Sequence, residues 1–133
     1  MRRFALEQIA ALLDRLAREV ERTARDRDAE AVHDLRVTIR RFGQSLRVFS
    51  PFVPKRQAKK IRKRLRHIMT LAGEVRNRDI TMDLIAEASL PQLRDAVQQD
   101  RDLAARILAA ELNRWLADND ALRWRAALEL PAE

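Results

Sequence analysis

Residues 29–50, AEAVHDLRVTIRRFGQSLRVFS, decide the fold. At about 100° per residue in an α-helix, Ala31, Leu35, Ile39, Phe42, Leu46 and Phe49 fall on one narrow stripe. His33, Arg36, Arg40, Gln44 and Arg47 fall on another, nearly opposite, and Arg41 lies to its side. One face packs; the other presents an imidazole and a row of guanidiniums. The pattern predicts a helix over about 29–50, stopped by Ser50-Pro51, because the residue before a proline is pushed out of helical geometry. Gly43 is expected to offer a place for close approach by a neighbouring helix.

The same period extends outward in both directions. Phe4, Leu6, Ile9, Leu12, Leu13, Leu16 and Val20 recur at three- and four-residue steps and predict a first helix over about 3–26. The polar run Arg25-Asp26-Arg27-Asp28 makes the turn, with Asp28 as N-cap of the next helix. After a short connection through Pro54, Ala58, Ile61, Leu65, Ile68, Ala72 and Val75 mark a third helix from about Lys55. Beyond Gly73 the apolar residues shift phase to Ile80 and Leu84, with Ile85 as a further candidate, which predicts a kink or short break there, then helix to about Ala88. Ser89-Leu90-Pro91 is a helix-to-helix turn. A last long helix, about 92–117, carries Leu93, Val97, Leu103, Ile107, Leu108, Leu112 and Leu116. Asp118-Asn119-Asp120 interrupts it, and 121–130 add a short terminal helix. Short connections favour antiparallel neighbours, so the expected architecture is all-α, an antiparallel four-helix bundle in one domain over 1–133.

Composition narrows the function classes. The chain has 133 residues, 47% of them hydrophobic, with two glycines and no cysteine. That length is enough for one core, and the absence of cysteine excludes disulfides, thiolate metal sites and thiol catalysis. No apolar run approaches the roughly 20 residues that span a bilayer, and the Met1-Arg2-Arg3 start leads into an amphipathic helix instead of a signal peptide. A cytoplasmic location is expected, with no membrane partner. His33 and His67 are too few and too far apart for a metal site, and no glycine-rich phosphate loop precedes a helix. Glu19-Val20-Glu21-Arg22 reads as solvated helix acids. No catalytic set, metal or cofactor is expected, and the chain is read as a non-enzyme. Trp115 and Trp124 are expected in the core.

Charge is unevenly placed. Between His33 and Arg78 stand fourteen arginines and lysines against Asp34 and Glu74, so this segment carries +12 where the whole chain carries +7, and the remainder is acidic. Residues one turn apart on a helix stand about 5 Å above one another, so a chain of phosphates along the face meets a new donor at each turn. Arginine offers a planar fork that matches phosphate oxygens, and a histidine in the row can donate to an anion. On the third helix Arg56, Lys60, Lys63, Arg64 and His67 flank the side away from Ile61, Leu65 and Ile68, and are expected to form the facing wall. A merely solubilising face mixes signs; like-charged pairs such as Lys59 with Lys63, Lys60 with Arg64 and Arg36 with Arg40 are mildly destabilising until an anion offsets them.

Val32-His33-Asp34-Leu35-Arg36-Val37-Thr38-Ile39-Arg40-Arg41, continuing to Leu46-Arg47-Val48-Phe49, resembles the signature of the CHAD family, the conserved histidine α-helical domains. A second match follows at Leu65-Arg66 and at Gly73-Glu74-Val75-Arg76-Asn77-Arg78-Asp79-Ile80. The two ordered motifs cover about residues 30–85. The resemblance implies a helical fold that binds inorganic polyphosphate in a basic cavity, sometimes on polyphosphate granules. By motif position His33, Arg36, Arg40, Arg41, Arg47, Arg66 and Arg76 are the binding residues, and Asp79 orients a nearby arginine. Family domains usually hold two related helical halves, whereas this chain has the length and motifs of one. A homodimer would rebuild the pair. Asn77 stands where the family generally has Asp, and Ala72 where Leu is common.

The expected site is therefore His33, Arg36, Arg40, Arg41, Arg47, Lys60, Lys63, Arg64, Arg66, His67 and Arg76, with polyphosphate as partner. Two other classes use the same patch: nucleic acid, attracted by counterion release, and an acidic protein bound by a non-enzymatic adaptor. Against nucleic acid, the patch has no interleaved aromatics for stacking and matches no DNA-reading module.

Overall fold

The computed structural model describes residues 1–131, and every regular element among them is helical. Four long helices and a short one follow in order: α1 (Arg2–Asp26), α2 (Ala29–Val48), α3 (Lys55–Glu87), α4 (Arg94–Ala117) and α5 (Asp120–Ala127). Each local boundary has a chemical cause. Arg27 ends α1 in the left-handed region (φ 58°) and its N–H returns to the Thr23 carbonyl. Asp28 is extended and its side chain accepts from the Ala31 N–H at 2.8 Å, capping α2. Pro51 and Pro91 each sit in a single 3-10 turn that redirects the chain, so α4 begins at Arg94 instead of directly at the proline.

α1 packs on α2 and α4, and α3 packs on the same two, so the four long helices close a ring around one core. Phe4 at the start of α1 meets Phe49 at the end of α2, with ring centroids 6.3 Å apart. At the other end the Thr23 hydroxyl donates to the Ala31 carbonyl at 3.1 Å, so these two helices run antiparallel. α3 and α4 do likewise, pairing Arg64 with Glu111 near one end and Arg78 with Asp100 near the other. Ile9, Leu13, Leu16, Val20, Leu35, Phe42, Leu46, Ile68 and Leu112 are buried almost completely. α5 folds back on α1 and α4. It lays Trp124 nearly parallel to Phe42 (9° between planes, 6.1 Å) and edge-to-face with Trp115 (82°, 5.5 Å). Both tryptophans are core residues, as expected of large aromatic side chains.

The expected break after Gly73 is not there: α3 runs unbroken through it to Glu87. The phase shift in the sequence arises because Ile80 and Leu84 are exposed, not because the helix turns; of the shifted residues only Ile85 is buried. Asp79 takes the position one turn beyond Val75 that an apolar residue would be expected to fill. Its Oδ1 accepts from Arg101 Nε at 2.9 Å, and Arg101 Nη2 donates to the Arg27 carbonyl at 2.7 Å. This pair of bonds ties α3 to α4 and α4 to the C-cap of α1. The stripe predicted for the last long helix is corrected too. Leu108 and Leu112 are buried as expected, but Leu93, Leu103 and Ile107 are exposed, and Ala105, Ala109 and Trp115 complete the buried face of α4.

Asp79 and Arg101 are only 15% and 14% exposed, so both charges are largely shielded from water. Asp79→Ala is expected to cost about 3 kcal/mol of stability, because it strands a desolvated guanidinium. Urea unfolding measures this; a loss below about 0.5 kcal/mol, the level of an ordinary surface change, would show that the ion pair is incidental.

Candidate functional site

α2 and α3 meet along a groove rather than a sealed seam. About 240 Å³ of space lies between Ile39, Arg40, Gly43, Gln44 and Arg47 of α2 and Arg62, Leu65, Arg66 and Met69 of α3. Past Arg47 and Arg62 it opens into a second recess of about 450 Å³, bounded by Ser50, Pro51, Lys55 and Ala58. Every charged side chain along both stretches is a cation. The row continues at the other end, where Arg76 of α3 stands close enough to Arg36 of α2 to depress its basicity.

Helix geometry explains the convergence. On α3 the steps from Arg62 to Arg66, Met69, Gly73 and Arg76 are four, three, four and three residues, which keeps them on one side of the helix. On α2, Arg36, Arg40, Gly43 and Arg47 repeat the pattern and face that side. Both stripes flank the buried ones instead of opposing them. The cations thus line the seam between the helices, with their stems against Ile39 and Leu65.

The charges on this seam are not neutralised by the chain itself. Among the described residues, no carboxylate pairs with Arg36, Arg40, Arg47, Lys55, Arg62, Arg66 or Arg76. The two acids within the basic segment are held by arginines outside the seam. Asp34 accepts from Arg22 at 2.7 Å, and Glu74 holds Arg78. Arg36 shows the imbalance most clearly. Its Nε is buried without an acceptor, and its pKa is lowered by burial first and then by Arg40 and Arg76. A partly desolvated guanidinium beside two more, with no counter-charge, favours whatever anion can enter.

Of the residues expected from sequence, the structure brings Arg36, Arg40, Arg47, Arg66 and Arg76 onto this seam. His33 is exposed on the same side of α2, beyond the groove's own lining, and Arg41 is exposed about a quarter turn away. Lys60 and Lys63 are exposed a quarter turn or more from the α3 stripe and do not line the groove. Arg64 and His67 are placed on the far flank of α3, so the expected α3 wall is corrected. Arg64 Nη2 lies 2.9 Å from Glu111 and 3.7 Å from Asp120; His67 Nε2 is 3.9 Å from Glu111. The Arg64 contacts are charge pairs rather than well-directed hydrogen bonds, since its Nη2 lacks an aligned acceptor. Glu111 and Asp120 are buried, and burial pushes the Asp120 carboxyl up despite Arg64 and Arg123. This cluster fastens α3 to α4 and α5, and its carboxylates already offset the Arg64 charge.

Arg62 and Lys55 are the binding candidates that sequence reasoning passed over. The signal was present, since Arg62 stands four residues before Arg66. It was lost by taking the ligand-facing side to be the one opposite the core, when the side bordering the next helix is the one with a floor. Gly43 is corrected as well: a Cβ built there meets nothing within 4 Å, so no helix approaches it closely.

No cluster of three or more metal-ligating side chains occurs among the described residues, and no described helix is long and apolar enough to cross a membrane. No curated protein and no solved structure matches the chain. A family model for the CHAD domain does, over residues 7–132, from the second turn of α1 through the whole of α5. With both basic motifs lying inside that match and the fold wholly helical, the chain belongs to the CHAD domain family.

Proposed function

We propose that this protein binds inorganic polyphosphate along the α2–α3 groove and acts by binding, not by catalysis. The observation that carries the reading is the run of guanidiniums on one seam with no carboxylate of the chain to neutralise them. Family membership supports the choice of phosphate polymer, through what the resemblance to CHAD domains implies. A flexible linear anion suits a groove between two helices better than a duplex, whose width and stiffness would keep most phosphates from meeting the arginines of both rims at once. Arg40, Arg47, Arg62 and Arg66 clamp successive phosphates from the two sides, while Arg36 and Arg76 hold the chain where it leaves the groove. His33, further along α2, extends the track. The groove is open to solvent along one side, and two copies facing each other would enclose the polymer. The cytoplasm, including the surface of polyphosphate granules, is where such a ligand would be met.

Arg36→Met tests the reading through two measurements expected to move in opposite directions. Methionine keeps the apolar stem but removes a buried unsatisfied donor and a like-charge repulsion, so stability should hold or rise by about 1 kcal/mol. Affinity for long-chain polyphosphate should fall by about tenfold. A destabilised variant that binds as before would make Arg36 a structural residue and move the site elsewhere. In the same titrations, duplex DNA outcompeting polyphosphate at physiological salt would overturn the choice of ligand. Sedimentation with and without polyphosphate decides the pairing of copies; a monomer in both conditions refutes it.

A further inference from the structure

The chain has only two glycines, and both sit in the middle of long helices, Gly43 in α2 and Gly73 in α3. A mid-helix glycine costs about 1 kcal/mol relative to alanine, so such positions usually have a structural cause. Neither usual cause applies. Neither glycine has positive φ, and a Cβ at either would meet nothing within 4 Å. Both stand on the stripes that form the basic seam. Gly43 lies in the groove floor with Ile39, Leu65 and Met69, between the rims carrying Arg40, Arg47, Arg62 and Arg66.

A bare phosphate chain has no use for such a floor. Phosphate oxygens over leucine, isoleucine and methionine lose water and gain no donor there. An apolar strip beneath guanidinium rims matches a ligand that is itself divided, one part anionic and one part flat and apolar. Arginine favours that division, because its guanidinium plane stacks on a ring while its edge donates to phosphate. The Met69 thioether is a good neighbour for an aromatic edge. An acyl tail fits less well, since a groove open along one side would leave much of it in water, whereas a ring needs only one face covered.

We propose that the groove also takes nucleoside polyphosphates, the base lying on the Ile39–Gly43–Leu65–Met69 floor and the phosphates running along the arginine row. The proposal rests on the reading of this seam as a phosphate site and adds a subsite to it. The missing side chain at Gly43 is then the space that the base occupies. A Cβ there meets no neighbour within 4 Å, so a longer side chain would start into that space.

The test compares three ligands without divalent cations at one salt concentration: ATP, inorganic tripolyphosphate and long-chain polyphosphate. Tripolyphosphate carries the same phosphate number as ATP without the nucleoside. The expected result is that ATP binds roughly tenfold more tightly than tripolyphosphate, the gain from covering one ring face. Gly43→Leu should abolish that difference, bringing ATP down at least tenfold to the affinity that tripolyphosphate shows for the same variant. Its melting temperature should match or exceed the wild type's, since leucine is a better helix former. Should Gly43→Leu fail to fold, Met69→Ala is the second variant, expected to reduce ATP binding selectively. Equal affinity for ATP and tripolyphosphate overturns the proposal, as does a Gly43→Leu variant that loses both in the same proportion. If long-chain polyphosphate binds and ATP has no advantage, the base subsite alone falls. If ATP binds and long-chain polyphosphate does not, the polymer reading falls and the subsite stands. Binding of none of the three overturns both.

Discussion

Replacing Arg36 and Arg40 together with alanine is expected to weaken long-chain polyphosphate binding by roughly a hundredfold, with helicity unchanged. Each hydrogen bond to a charged group contributes about 1.5–3 kcal/mol, so removing two of them amounts to about two powers of ten or more in affinity. The variant should also titrate differently with salt. The slope of log affinity against log salt should flatten by about one for each phosphate partner removed. Lys60→Ala with Lys63→Ala is the matched control. It removes the same formal charge from an exposed part of α3 that does not line the groove. If binding depends on place, the control loses at most about threefold, as expected of screened surface charge. Equal losses in the two double variants would mean that the protein acts as a diffuse basic surface and that the seam has no special role.

Phe42→Ala is expected to be the most damaging single core change, at about 3–5 kcal/mol. Phe42 is fully buried and lies against Trp124, which in turn meets the edge of Trp115. Truncating it opens a cavity at the point where α2, α4 and α5 are joined, and the two indoles are too large to collapse into it cheaply. Against a total stability of typically about 5–15 kcal/mol, that loss would bring the protein near its unfolding threshold at growth temperature. Phe42 also sits one turn from Ile39 and Leu46 on the helix that carries Arg36, Arg40 and Arg47, so binding should be lost together with the fold. Phe42→Leu separates the two effects. It should cost about 1–1.5 kcal/mol and keep polyphosphate affinity within about twofold at a temperature where the variant is folded. Chemical denaturation, with tryptophan emission as the probe of the aromatic cluster, reads the loss. A change under about 1 kcal/mol for Phe42→Ala, well below the usual cost of such a truncation, would show that α5 does not depend on this packing.

The helices were legible because their causes are local. The stripe from Ala31 through Leu46, the cap at Asp28 and the prolines at 51 and 91 act over a few residues and gave nearly correct boundaries. The errors came where a local pattern is ambiguous. Ile80 and Leu84 read as a core stripe that had changed phase, yet they are exposed, while a carboxylate, Asp79, takes the inward position because Arg101 arrives from another helix to neutralise it. No neighbour of Asp79 in sequence reveals Arg101. Asp79 does meet an arginine, but Arg101 belongs to α4 and lies outside the groove lining, so the pair joins helices instead of orienting a seam cation.

The basic seam divides the same way. Sequence alone determined that the chain is helical, that positive charge is concentrated between His33 and Arg78, and that one side of α2 bears a row of arginines; periodicity and charge are properties of order along the chain. Which side of α3 faces that row was decided only by tertiary packing. A helix exposes several basic arcs with equal claims, and Arg64 and His67 looked as suitable as Arg62 and Arg66 until α4 brought Glu111 and α5 brought Asp120 to one flank. Acids distant in sequence neutralise one arc and leave the other charged, and that pairing is fixed by how the helices rotate to bury their apolar stripes.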